Sequence, residues 1–277
     1  MTKLLLSWVN WLDRPGVSIT TNSETGGLGV TRLADPILRR RWRSAAGIIN
    51  PVLTVDLGAL REVGVLALAQ PDDAGGVDAM GDARGWMRST DEVRHLLDAA
   101  TPGGGGVLDT GAQPGGWVPG YGMHMLVPPA ALSARQWRAE IGGWSLAAGV
   151  GYLDLGRAWI GPAFRPARGN YAYDWGWAME DGAVVSTNSR SGLDFVDRGP
   201  RRRLLTFTLP TLTTAEAEAV RELQRIAGTG RQVLAAIQPD TPAQQANWII
   251  GRLTEIQPIT QPAFGVHRAS FSIRQSL

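Results

Sequence analysis

The chain has 277 residues, 44% of them apolar, and a formal net charge of +2. Without cysteine there is no disulfide framework and no thiolate metal site, and the small net charge gives no global electrostatic case for nucleic acid. The 35 glycines, 17 prolines and 11 tryptophans, set among short apolar runs, point to β-structure with many turns, in one large or two medium domains.

In chain order, "MTKLLLSWVNW" is expected to be a first strand. Its apolar run is short for a signal peptide, and Asp13, Arg14 and Pro15 follow where a small-residue cleavage site would stand. No stretch of about 18 apolar residues occurs, so no membrane span is expected. "PVLTVDLG" (Pro51–Gly58) alternates Val52, Thr54 and Asp56 against Leu53, Val55 and Leu57, a half-buried strand. "VGVLALA" (Val63–Ala69) is apolar almost throughout, as a strand buried on both faces would be. Two Gly-rich loops follow. The stretch between them, "STDEVRHLLDAA", predicts a short helix, with Thr90 as N-cap and Val93, Leu96 and Leu97 at i, i+3, i+4. "RQWRAEIG" (Arg135–Gly142) is a half-buried antiparallel strand with Trp137, Ala139 and Ile141 on one face.

After an aromatic and basic segment the pattern changes. "RRRLLTFTLP" (Arg201–Pro210) alternates Leu205, Phe207 and Leu209 with Leu204, Thr206 and Thr208. A helix over 213–227 is then predicted from a capping box, Thr213 with Glu216, and from an apolar stripe of Ala219, Val220, Leu223, Ile226 and Ala227 that stops at Gly228. Strands are predicted in "QVLAAI", "NWIIGRLTEI" and "HRASFSIR". The expected organisation is a β-sandwich over 1–178, with 153–178 as an aromatic linker, then an α+β unit over 193–277. The boundary is placed near a loop at Ala178–Gly192.

Little here looks catalytic. His95, His124 and His267 lack ligand spacing and are read as structural. The Asp72–Asp73 pair lies in a Gly-rich loop without the further oxygen ligands of a calcium site. "ETGGLGVTRL" and "TPGGGGVLDTG" have neither the GK[ST] ending nor the strand–helix setting of a phosphate loop, and no G-x-S-x-G occurs. No cofactor and no enzymatic activity are expected. The arginine runs Arg39–Arg43 and Arg201–Arg203 are read as intersubunit contacts rather than phosphate grips. Most tryptophans are expected in cores or interfaces.

The stretches Gln136–Ile141, Leu155–Phe164, Asn170–Asp181 and Gly199–Val220 carry "QWRAEI", "LGRAWIGPAF", "NYAYDWGWAMED" and "GPRRRLLTFTLPTLTTAEAEAV". In this order they resemble a group of tail structural proteins of siphophages and Mu-like phages. Those proteins pair an aromatic "YWRIEI" strand with an "IGRLWIGPAW" segment and an "RPRRR..SFSLP.LTEAEA" strand–helix. The N-terminal half resembles discoidin-type, galactose-binding-like jelly rolls in the cadence of "RRRWRSAAGIINPVLTVDLGALREVGVLAL", with "AQPDD" (Ala69–Asp73) where that family has an apolar–Asn pair.

The resemblance implies a virion protein of the tail tip or baseplate, of distal-tail type, assembled in the host cytoplasm. It implies a ring of copies joining the tail tube to hub, fibres or other host-attachment proteins, with no nucleic-acid partner. The assembly interface expected on this basis comprises Arg157, Trp159, Arg165, Arg168, Tyr171, Tyr173, Trp175, Trp177, Arg201, Arg202 and Arg203. The alternative is a carbohydrate-binding tail adhesin for host surface glycans, with Asp72, Asp73, Trp86 and Trp117 as glycan contacts. A glycan-active enzyme is the third reading.

Overall fold

The computed structural model describes residues 4–48, 50–70, 92–99, 106–114, 122–142, 152–167, 171–197, 199, 201–241 and 246–277. The first half contains β1 (Leu5–Ser7), β2 (Ser18–Thr21), β3 (Trp42–Arg43), β4 (Val52–Val63), β5 (Val65–Ala69), β6 (Glu92–Asp98), β7 (Gly106–Asp109), β8 (Gln113–Pro114), β9 (Met123–Leu126) and β10 (Leu132–Gly142). The second half contains β11 (Asp154–Leu155), β12 (Arg157–Gly161), β13 (Gly176–Asp181), β14 (Val184–Thr187), β15 (Asp194–Asp197), β16 (Arg201–Leu212), α1 (Thr214–Ala227), β17 (Gln232–Ala236), β18 (Trp248–Leu253), β19 (Thr260–Ala263) and β20 (Val266–Gln275). The fold is mainly β, with one α-helix among the described residues.

The elements stack in four layers. An outer sheet runs β2-β4-β10-β6-β7, with β8 on β6. Behind it lies a three-stranded sheet, β12-β5-β9, flanked by the β11–β3 pair. These two layers form the sandwich, and Leu53, Val55, Trp137, Ile141, Leu66, Leu68 and Ile160 meet between them. The third layer is the sheet β1-β17-β18-β20-β16-β13, with β19 on β20. Its face towards the sandwich presents Leu234, Ala236, Trp248 and Ile250 to Val65, Ala67 and Trp159. Its other face presents Leu205, Phe207, Phe271 and Ile273 to Val220, Leu223 and Ala227 of α1.

The middle sheet therefore has apolar layers on both sides. That is why every residue of β5 and β12 is buried, and why β5 reads as a continuous apolar run. β10 alternates as predicted, with Trp137, Ala139 and Ile141 inward. The first strand is present, but it pairs with β17 (Leu5 opposite Ala236) and so belongs to the third layer.

Two predicted elements differ. The stretch "EVRHLLD" is strand β6, not a helix, and pairs with β10 from Gln136↔Asp98 to Gly142↔Glu92. Val93, His95 and Leu97 are its fully buried residues. A polar histidine on the inner face hides the period of two, and Leu96 gives the apolar residues a false helical spacing. The expected loop at Ala178–Gly192 holds the end of β13, all of β14 and the turn into β15.

The helix begins as predicted. Thr213 Oγ1 accepts from the Glu216 backbone N–H (3.3 Å), and Glu216 Oε2 accepts from the Thr213 backbone N–H (2.7 Å). The other carboxylate oxygen accepts from the Ala167 backbone N–H, which ties the aromatic segment to the helix start. Replacing Thr213 by alanine is expected to lower stability by about 1 kcal/mol through the lost cap. Glu216→Ala is expected to lower it further, since the hydrogen bonds from the Thr213 and Ala167 backbone N–H groups both lose their acceptor, each worth about 0.5–1.5 kcal/mol net. Urea midpoints of the two variants check the order; equal midpoints would show that the Ala167 tie carries no energy.

Candidate functional site

The aromatic–arginine segment divides into an internal and an external part. Arg157 is fully buried: its Nη2 donates to both oxygens of Asp13 (2.6 and 2.9 Å), and its Nη1 donates to the Leu33 carbonyl (3.4 Å). Burial lowers its pKa, while the Asp13 charge opposes that shift. Trp159 is also buried, between the middle and third layers, and its indole N–H donates to Ser7 Oγ (3.0 Å). Arg203 is 6% exposed, with Nη1 donating to the Trp248 carbonyl (3.0 Å) and Nε to Gln275 Oε1 (3.2 Å). These three were expected at an intersubunit surface; instead Arg157 and Trp159 join the middle sheet to its neighbours, and Arg203 ties β16 to β18 and β20 within the third sheet. The physical reason is that each finds its partners across the fold, Arg157 and Asp13 being 144 residues apart.

Tyr171 and Trp175 are half-buried against the α1-side core and meet edge to face, with centroids 5.8 Å apart at 84°. Arg165 lies 3.7 Å from Asp240 across a partly exposed surface. Arg168 lies outside the described residues, as do Asp72, Asp73, Trp86 and Trp117.

The external part is Tyr173, Trp177, Arg201 and Arg202. Tyr173 is 92% exposed and Trp177 49%. Trp177 and Met179 lie opposite Leu205 and Arg203 on the same face of the third sheet, so they extend its apolar face beyond the helix. Among the described residues, the outer edge of β13 has no strand partner, and such an edge is a template for pairing. Arg201 Nε reaches Asp181 at 3.4 Å.

Between β13 and β16 stands the hairpin β14–β15, with Val185 opposite Val196 and Ser186 opposite Phe195. Asn188 organises its turn: its backbone N–H donates to Leu193 O (2.8 Å), and its side-chain Oδ1 accepts from Arg190 N (2.9 Å). Thr187 Oγ1 donates to Asp194 Oδ1 (2.6 Å) across the strands. All eight residues of the two strands are exposed. Val184, Val185, Phe195 and Val196 thus stand in water on both faces of the ribbon. The alternation around "STNSRSGL" is a hairpin signal legible in the sequence, although the reading above places a loop there.

A buried polar chain lies inside the sandwich. Trp137 Nε1 donates to His95 Nδ1 (3.0 Å), and His95 Nε2 is 2.9 Å from His124 Nε2. Tryptophan is only a donor. Nδ1 of His95 is therefore an acceptor, and its Nε2 carries the proton donated to His124. The chain joins β10 and β6 of the outer sheet to β9 of the middle sheet with His95 neutral. Desolvation, then the neighbouring His124, pushes the His95 pKa well below its usual value. Among the described residues no group of three or more His, Cys, Asp or Glu could hold a metal ion.

No protein-family model and no curated protein matches the chain. Solved structures are similar in fold over about half of it. A Ruminococcus gnavus fucosidase of glycoside hydrolase family 29, solved with fucose, is 12% identical with a TM-score of 0.42, over 56% of this chain and 27% of its own. The lectin domain of lectinolysin, solved with Lewis B antigen, is 17% identical with a TM-score of 0.40, over 58% of this chain and all of its own. A family 32 carbohydrate-binding module of C. perfringens NanJ, solved with galactose, is 12% identical with a TM-score of 0.41, over 57% of this chain and 99% of its own.

The histidine chain predicts a pH response. The folded state holds His95 neutral, whereas the unfolded chain binds that proton at about pH 6.5. Stability is thus full above pH 6.5 and falls as pH drops below it, by up to about 1.4 kcal/mol per pH unit for this group. The thermal midpoint should fall from pH 7 to pH 5 in the wild type and fall less in His95→Gln, whose amide oxygen can still accept from Trp137. Equal slopes in the two proteins would remove His95 as the cause.

Proposed function

We propose that the chain is a non-enzymatic structural protein that assembles with copies of itself through the β14–β15 hairpin and the neighbouring edge of β13. The carrying observation is the hairpin, with Val184, Val185, Phe195 and Val196 exposed on its two faces. A two-stranded ribbon alone in water is marginal at best, and a contiguous exposed apolar surface marks an interaction site. Tyr173, Trp177 and Met179 supply aromatic and sulfur groups of the kinds enriched at interface cores. A hairpin of one copy docking on a different surface of the next is a heterologous contact, which closes into a ring when the rotation closes. The sequence resemblance supports placing that ring at a phage tail tip, between the tail tube and the host-attachment proteins.

A second reading, glycan recognition by the sandwich, has its own observation. A trough of about 480 Å³ on the outer sheet is lined by Asn50, Glu92, Arg94, Arg138 and Glu140. Arg94 is held by Asp109 (2.6 Å) and Glu140 (3.4 Å), and Glu140 also by Arg138 (2.7 Å). Such fixed polar groups suit sugar hydroxyls, and the lectin domain and the family 32 module named above were solved with carbohydrate bound.

Light scattering on the purified chain tests the first reading. Val185→Ser with Phe195→Ser, one change on each face of the ribbon, should weaken self-association at least about tenfold, the scale of an interface hot spot. The thermal midpoint should stay unchanged. A wild-type chain that remains monomeric, or a double variant that assembles like the wild type, overturns the reading. In a glycan screen, binding lost on Glu140→Ala with assembly intact would favour the second.

A further inference from the structure

A groove runs between the sandwich and the third layer. One stretch, of about 510 Å³, is lined by residues that include Trp8, Asp13, Arg14, Arg231, Gln232 and Arg252. The other, of about 380 Å³, is lined by residues that include Arg202, Thr229, Arg252, Thr254, Arg274 and Ser276. Pro36 and Arg252 line both, so the two are continuous.

The charge along this groove is one-sided. Five arginines line it against one acidic side chain, Asp13, whose two oxygens are already taken by Arg157. Arg274 is paired with Glu180 (2.7 Å). Arg14, Arg202, Arg231 and Arg252 form no ion pair with any described residue. Arg252 and Arg274 lie directly opposite in the β18–β20 register, a like-charge pairing that destabilises a sheet. An anionic ligand would reverse that repulsion. Planar guanidinium groups suit carboxylate and phosphate.

Two further features narrow the class. Gln232 is 5% exposed, and its amide N–H is committed to the Pro36 carbonyl (2.7 Å). Its Oε1 has no partner, and neither has the buried Ser276 hydroxyl. An acceptor without a partner calls for a donor, which sulfate or a fully ionised phosphate ester lacks. A peptide that adds a strand is excluded here, since β17 and β18 each have neighbours on both sides. The unpaired Gln232 and Ser276 oxygens beside the arginines suit a polymer that carries both hydroxyls and anionic groups.

We infer that the groove between the sandwich and the third layer binds an acidic polysaccharide, with Arg14, Arg231, Arg252 and Arg202 receiving its anionic groups. The site is separate from the sandwich trough and does not depend on self-association.

The test is calorimetric titration of the full chain at low salt with oligogalacturonate, a carboxylate-bearing glycan. The comparison ligands are a neutral galactan, polyglutamate of matched charge, and duplex DNA. Oligogalacturonate should bind, weaken with added salt as screened charges do, and lose at least about tenfold in affinity in Arg231→Gln with Arg252→Gln. Both changes are at exposed side chains, and an unchanged thermal midpoint shows that the fold is kept. Glu140→Ala, in the trough, should leave this binding intact. No binding of oligogalacturonate, or binding unaltered in the double variant, overturns the assignment. Equal binding of polyglutamate or DNA overturns the saccharide class. Loss on Glu140→Ala alone would move the glycan site to the trough. None of these results bears on assembly through the hairpin, which light scattering reads independently.

Discussion

Burial of β12-β5-β9 on both faces is the constraint from which the rest of the architecture follows. One face of this sheet closes the sandwich with Leu66, Leu68, Ala158 and Ile160. The other receives the third layer through Val65, Ala67 and Trp159. Neither neighbouring layer can be removed without exposing a row of large apolar side chains, each worth about 1.5–3 kcal/mol of burial. The chain crosses between the layers accordingly. β1 leaves the amino-terminal half to pair with β17, and Phe164, just past β12, exchanges backbone hydrogen bonds with Leu6 (2.7 and 2.9 Å).

Such close stacking leaves little room at the joints. A Cβ on Gly161 would overlap the Val9 carbonyl, and one on Gly64 would meet the Ala163 backbone N at 2.7 Å. Most of the polar groups trapped around β12 are matched, the buried Arg157 Nε being an exception. Asn10 Nδ2 donates to the Ala158 carbonyl (2.9 Å), and its Oδ1 accepts from the Ile160 N–H (3.1 Å). The Trp159 indole N–H goes to Ser7, and Arg157 goes to Asp13. Unpaired, these groups would carry a desolvation penalty; paired, they fix how β12 sits against the amino-terminal segment.

Elements whose inner face is wholly apolar were legible in the sequence, because periodicity reports burial directly. β5 and β10 are of this kind, and the apolar stretches of β16 and of the capped helix behave in the same way. β6 was not, because His95 occupies an inward position as a polar letter, and its acceptors and donors, Trp137 and His124, are 42 and 29 residues away. The same blindness applies to Arg157 and Arg203. An arginine reads as surface until the partner that compensates its burial is known, and that partner is set by tertiary structure. The hairpin residues fail in the opposite sense. Val185 and Phe195 look like core residues, and only the absence of any layer over them, among the described residues, shows otherwise.

The run Arg201–Arg203 shows how one short stretch serves three ends. A strand alternates its side chains, so Arg203 turns towards the helix side, where the carbonyls of Ala246 and Trp248 accept from it. Arg202 points the other way, into the groove beside Arg274. Arg201, at the strand's first position, reaches back to Asp181 and closes the base from which the hairpin leaves the sheet. The proposed assembly arm and the proposed anion groove therefore meet at the start of β16. A neighbour held by the hairpin would stand next to the Arg202 end of the groove. Strand pairing alone ties the two features, since β13 and β16 are in register from Gly176↔Thr206 to Asp181↔Arg201. Any shift of the hairpin base must move Arg201 and Arg202 with it.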